Sequence, residues 1–181
     1  MADVIADDAV TTLRSAAARA LGPRSEPAYD LIELLFFAYR DFVRDADEAL
    51  AAYGFGRAHH RVLHFVDRNP GLRVTELLDI LKITKQSLGR VLRELIDQGF
   101  VIQREGASDR RQRLLYVTER GDALALKLAH LQTERISRAL DGCDGDVGEA
   151  ARRFLFAMVD PEERAKVARL ATPGRPRGGR A

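Results

Sequence analysis

The chain has 181 residues, enough for one or two compact domains, with 46% hydrophobic and 31% charged residues. Its single cysteine excludes an intrachain disulfide framework and points to a reducing compartment. No apolar run approaches the ~20 residues of a membrane helix, and the first residues lack the basic and apolar regions of a secretory signal, so a cytoplasmic protein that meets no membrane is expected. The net charge of +2 conceals an asymmetry: residues 82–113 hold eight basic side chains against four acidic, +4, which leaves −2 on the rest. A basic patch on a slightly acidic body suits a polyanionic partner.

Residues 1–27 read as an extension. Val10, Leu13, Ala17 and Leu21 give a weak amphipathic helix ended by Gly22-Pro23, either loosely attached or packed as an accessory helix. Residues 29–53 form a strong helix candidate, with Leu31, Leu34, Leu35, Ala38, Phe42, Ala46 and Leu50 at helical spacing. Phe36, Phe37 and Tyr39 widen its apolar face, which fits either an oligomer interface or ordinary core packing.

Gly54 and Gly56 break the chain, and residues 57–68 predict a helix with Val62, Leu63, Phe65 and Val66 inward. After Asn69-Pro70-Gly71, Thr75 is the expected N-cap of a short helix over 76–81. Lys82-Ile83 is a turn, and Thr84 caps a second helix over 85–98. That helix buries Leu88, Val91, Leu92, Leu95 and Ile96, and Gly99 follows its end. By subtraction Lys85, Gln86, Gly89, Arg90, Arg93 and Asp97 face solvent, with Ser87 at the margin.

Residues 100–104 and 114–117 have strand character around a polar tip. Thr118 caps a long helix to about residue 140, with Ala123, Leu124, Leu126, Leu128, Leu131, Ile136 and Leu140 as its stripe. A further helix over 147–159 carries Phe154, Leu155, Phe156 and Met158, and Asp160-Pro161 kinks or restarts the chain. Residues 171–181 form a Gly/Pro/Arg-rich tail expected to be disordered.

Helix, tight turn, helix and Arg-tipped hairpin is the order of a winged helix-turn-helix. Residues 54–121 resemble the MarR family of bacterial transcriptional regulators. GFGRAHHRVL (54–63) is similar to the entry of the family's second helix, and TELLDILKITKQSLGRVLRELIDQGFVIQRE (75–105) to its helix-turn-helix and first wing strand. SDRRQRLLYVTERG (108–121) is similar to its wing, Asp-x-Arg followed by a strand, Val-Thr and Gly. The likeness extends more weakly over about residues 29–170.

The resemblance implies a mainly α fold with a small β-hairpin wing, assembled as a triangular homodimer. Residues 28–53 and 119–170 would form the helical dimerisation region and residues 54–118 the winged DNA-binding lobe. The extension before Tyr29 and the break at Asp160-Pro161 depart from the family pattern at the dimerisation end. The resemblance also implies a small-molecule effector bound between the dimer helices and the lobe. Phe37, Tyr39, Phe42, His60 and His64 are candidates to line that pocket, and equally candidates for core.

On a double-stranded DNA operator, the helix starting at Thr84 would enter the major groove. Lys85, Gln86, Ser87 and Arg90 would then lie closest to base edges and Arg93 near phosphate. The family's wing places Arg111 in the minor groove with Asp109 holding its guanidinium, and Arg110 and Arg113 become phosphate candidates beside it. Thr75 and Lys82 would add phosphate contacts. The expected function is therefore a sequence-specific regulator, a ligand-responsive repressor acting on a pseudo-palindromic site. The competing readings are a metal- or redox-responsive regulator of the same fold and a winged-helix protein adaptor.

No enzyme, cofactor or metal is expected. His60 and His64 stand at zinc-compatible spacing beside His59, but no partner ligands accompany them. Cys143 lies among acidic residues that disfavour its thiolate. There is no Gly-rich phosphate loop and no Gly-x-Ser-x-Gly.

Overall fold

A computed structural model describes residues 27–106, 111–143 and 146–172. The predicted helix over 7–21, Asp109, Arg110 and most of the basic tail lie outside the described residues. In chain order the elements are α1 (Tyr29–Ala51), α2 (Arg57–Arg68), β1 (Leu72–Arg73), α3 (Val74–Leu81), α4 (Lys85–Asp97), β2 (Val101–Glu105), β3 (Arg113–Val117), α5 (Glu119–Asp141), α6 (Val147–Ala157) and α7 (Arg164–Leu170). The fold is mainly α with a small antiparallel sheet of order β1-β3-β2.

The chain divides into two compact units, residues 1–40 and 41–181. The described part of the first is the opening of α1, where Leu31, Ile32, Leu34, Leu35, Phe36, Phe37 and Tyr39 are all exposed. Arg40 lays its guanidinium 5.0 Å from the centre of the Phe37 ring.

The second unit holds the core. Val62, Leu63 and Val66 of α2 meet Leu77 and Leu81 of α3 and Leu88, Val91, Leu92 and Leu95 of α4. Val101, Leu115 and Val117 close it from the sheet, and Leu124, Ala125 and Leu128 from α5. Each fully buried Leu or Val contributes ~1.5–3 kcal/mol of apolar transfer, so helical spacing of these residues suffices to orient α2, α3 and α4. A bidentate pair joins α5 to the later part of α1: Arg135 donates to both oxygens of Asp45 at 2.9 and 2.7 Å.

The wing is a hairpin in which Val101 pairs with Val117 and Glu105 with Arg113. Its root is pinned by Thr118. The Thr118 hydroxyl accepts from the Gly121 N–H at 3.0 Å and donates to the Gly99 carbonyl at 2.7 Å, so one side chain caps α5 and ties it to the end of α4. Gly99 itself sits at φ 73°, the left-handed position after a helix that favours glycine.

Three local expectations are corrected. The short helix begins at Val74, not Glu76, and Arg73 is its N-cap. Glu76 still performs the reciprocal half of a capping box, accepting from the Arg73 N–H at 2.8 Å, but Thr75 lies inside the first turn. The start moves because Leu72–Arg73 is a strand paired with Leu114 and Leu115, and strand passes straight into helix. A two-residue strand is too short for alternation to reveal. On α5, Ala125 is buried and Ala123 exposed, the reverse of the expected stripe.

Candidate nucleic-acid interface

α4 is positioned by its buried stripe and by its cap. Thr84 accepts from the Ser87 N–H at 3.1 Å and donates its own hydroxyl to Ser87 Oγ at 2.9 Å. The first turn is thereby held, and Thr84 serves chiefly to fix it. The opposite face carries Lys85, Gln86, Ser87, Gly89, Arg90 and Arg93, all exposed, as the helical spacing requires. Nothing lies within 4 Å of a Cβ built on Gly89, so this part of the face is open.

Arg90 is the most exposed member of a short chain of contacts. Its Nε lies 3.9 Å from Glu94 Oε1, one turn along α4. The other Glu94 oxygen lies 2.6 Å from His59 Nε2 on α2. His59 is buried at 9% exposure and stacks on Phe55, with ring centres 4.5 Å apart and planes 13° apart.

Lys82 ends α3 in the left-handed region at φ 51° and is held by two carboxylates, Asp79 at 2.7 Å and Glu163 at 3.1 Å. Lys166 of α7 bonds the same Asp79 at 2.9 Å and also pairs with Glu163. Hydrogen bonds from Lys82 and Lys166 lower the Asp79 carboxyl to about 2, and Asp79 and Glu163 raise the Lys82 ammonium. The C-terminal helix is thus clipped electrostatically to the turn before α4. This link connects residues more than eighty positions apart and has no sequence pattern. Thr75 is exposed on the first turn of α3.

In the wing, Arg113 pairs with Glu105 across the hairpin at 2.9 Å. Arg111 is exposed at the described edge of the tip, and Asp109 and Arg110 lie outside the described residues. Arg104 stacks over Tyr116, 5.2 Å from its centre, and Arg120 covers Phe100 at 4.2 Å while donating to the Gln98 carbonyl at 2.7 Å. These contacts stiffen the described base of the hairpin.

The five candidate effector residues are distributed as follows. Phe37 and Tyr39 are exposed in the first unit. Phe42 and His60 are half-buried in the second, and His64 lines a cleft of about 290 Å³ with Phe65, Ile80 and Val167. Burial is the largest cause lowering the pKa of both His60 and His64. For His60 the repulsion of His64 adds to this, and for His64 that of Arg68. His64 keeps an exposed edge, so protein mass packed around the rest of the ring accounts for the effect. A larger cleft of about 550 Å³ runs between α6 and α7, lined by Leu155, Phe156, Val159 and Val167 with Arg152 and Arg153 at its rim. Among the described residues no group of three or more His, Cys, Asp or Glu is placed to hold a metal ion. Among them, too, no helix is long and apolar enough to cross a membrane.

Comparison with known proteins adds four findings. The profile described as MarR family matches residues 53–112. The HTH-type transcriptional regulator PetP of Rhodobacter capsulatus is 47% identical over 133 residues, 74% of this chain and 80% of that protein. Among solved structures, a MarR transcriptional regulator from Methanosarcina mazei Go1 superposes with a TM-score of 0.62 at 23% identity, covering 77% of this chain and 99% of that one. CouR from Rhodococcus jostii RHA1 bound to p-coumaroyl-CoA gives a TM-score of 0.61 at 21% identity, covering 73% and 93%.

Proposed function

The chain belongs to the MarR family of transcriptional regulators, and on that premise we propose that it is a cytoplasmic, homodimeric, ligand-responsive repressor binding a pseudo-palindromic DNA operator. The observation that carries DNA binding is the exposed face of α4, where Lys85, Gln86, Ser87, Arg90 and Arg93 project together from a helix whose other side is core. Gln pairs with adenine and Arg with guanine through two-point contacts in the major groove. Arg111 enters the minor groove from the wing, with Asp109 orienting it, and Arg110 and Arg113 meet phosphate. Thr75 and Lys82 take flanking phosphates, Lys82 after exchanging a carboxylate partner.

Dimerisation is supported by apolar surface that a lone chain leaves uncovered. Phe36 is 68% exposed on α1 and Leu155 57% on α6, each among further exposed apolar neighbours. Contiguous patches of this kind mark interfaces. Two recognition helices related by a two-fold axis then enter successive major grooves ~34–36 Å apart. An effector releases DNA if it binds the DNA-incompetent spacing of the lobes more tightly than the competent one. That CouR is seen with p-coumaroyl-CoA supports a small organic effector as the class to test.

The test is a fluorescence-anisotropy titration of the protein on the duplex upstream of its own coding sequence, over a salt series. Log K falls with log salt by ~0.9 for each phosphate neutralised. A flat salt dependence refutes DNA as the principal partner, and unchanged affinity in Arg111→Ala refutes the minor-groove role.

A further inference from the structure

The contacts around Glu94 go beyond a basic reading face. His59 stands at the third position of α2, and its Nδ1 lies 3.1 Å from the Gly56 backbone nitrogen. That N–H can only donate, so Nδ1 must carry the lone pair and Nε2 the proton. The imidazole occupies the place a Glu or Gln takes in a capping box. Its tautomer is therefore set by the backbone, and the Nε2–H donates to Glu94 Oε2 at 2.6 Å. The ring cannot swing away, because it is buried and stacked on Phe55. One oxygen of Glu94 is consequently fixed from the core, while the other points along α4 to Arg90 Nε at 3.9 Å.

An exposed arginine with an unanchored glutamate one turn away would gain little order, since both side chains lose rotamer freedom on pairing. Here the carboxylate is already immobilised by His59, so its field acts from one place. A carboxylate on a helix that faces a polyanion also weakens binding to any DNA, whatever its sequence. A fixed negative charge beside a reading arginine therefore suppresses contacts in which the guanidinium meets phosphate loosely. It favours the one orientation that leaves the carboxylate and presents both donors to a base.

We infer that Glu94, held by His59, is a positioning residue for Arg90 that sets the base selectivity of the recognition helix. The inference rests on the DNA-binding reading above, and on Arg90 reading a base within it. Glu94 does not itself touch DNA. A purely structural Glu94, present only to satisfy the buried His59 N–H, would be replaced without loss by glutamine, which keeps an acceptor for that N–H. Glutamine would turn its NH₂ toward Arg90, a donor facing a donor, and would carry no charge.

The experiment is selection of duplexes from a random-sequence library with the full chain, using wild type, Arg90→Ala and Glu94→Gln. Anisotropy titrations follow on the selected duplex and on single-base variants of it. A two-point arginine–guanine contact discriminates by roughly 5- to 150-fold. The expected result is that Glu94→Gln loses at least about fivefold of the preference at the same base pair where Arg90→Ala loses it, while its affinity for unselected duplex rises. Melting temperatures of both variants should stay near wild type, because Arg90 is exposed and glutamine at position 94 keeps an acceptor for the His59 N–H. If Arg90→Ala loses the preference and Glu94→Gln keeps it, the positioning role is overturned and the DNA reading stands. If Arg90→Ala keeps it, Arg90 reads no base and this inference falls with that assignment. If the wild-type chain enriches no duplex at all, the proposed function fails first.

Discussion

Gly121→Ala is a demanding test of how the wing is joined to α5. A Cβ built on Gly121 would lie 2.0 Å from the Phe100 carbonyl oxygen, 3.0 Å from its carbon and 3.3 Å from Val117 Cβ. The obstacle is backbone, and Phe100 is fully buried, so no side chain can swing aside. That carbonyl also accepts the Thr118 N–H at 3.1 Å. Relief requires the first turn of α5 to move away by about 1 Å or more, since carbon contacts are comfortable only near ~3.5–4.0 Å. The movement loosens the Thr118 cap, worth ~1 kcal/mol, and adds the ~1–3 kcal/mol typical of overpacking. Alanine recovers at most ~1 kcal/mol of helix propensity. The net loss is about 1–3 kcal/mol, which for a chain of this size lowers the melting temperature by roughly 2–12 °C. The assay is thermal unfolding by circular dichroism at equal protein concentration, so that any self-association contributes equally. Gly89→Ala is the internal control: its Cβ meets nothing within 4 Å, and it should gain ~1 kcal/mol of propensity. A Gly121→Ala protein that melts within about 2 °C of wild type would refute the close-approach argument.

Further expectations concern ion pairs and titration. Arg135→Ala removes the bidentate partner of Asp45 and should cost ~1–2 kcal/mol in urea denaturation, between an exposed pair and a buried charged hydrogen bond. The Asp79 carboxyl, held at about 2 against an ordinary 3.8, contributes fully above 3.8, and its contribution disappears as pH falls through 2. In a Lys82→Met, Lys166→Met double variant, carboxyl NMR should show it titrating back toward 3.8. His60 and His64 titrate below 6.5, so their neutral forms support the fold above that pH and the support declines as pH falls through their lowered values. His64→Gln should flatten that mild-acid decline in a pH series of melting temperatures. Phe36→Asp with Leu155→Asp should give a monomer by sedimentation equilibrium and lose operator binding; a persistent dimer would place the interface elsewhere.

The sequence was most explicit where physics is local and periodic. Leu88, Val91, Leu92 and Leu95 recur at helical spacing, and that alone commits one side of α4 to the core and its charged side to water. Thr84, Gly99 and Thr118 mark helix ends because hydroxyls and left-handed glycines have few other reasons to stand there. Gly121 was part of the wing pattern, yet its reason is a carbonyl twenty-one residues earlier, brought within 2.0 Å of its missing Cβ only by the folded hairpin. The same holds for the N-cap of α3, shifted from Thr75 to Arg73 by two residues of strand whose partners lie beyond residue 113. The link from His59 to Glu94 spans 35 positions and the clip from Lys166 to Asp79 spans 87. Neither follows any helical or strand period, because each depends on which elements pack against each other. One-dimensional pattern thus settled which side of α2 and of α4 faces inward. Three-dimensional packing decided which outward charges are paired, and hence which of them stand ready for a partner.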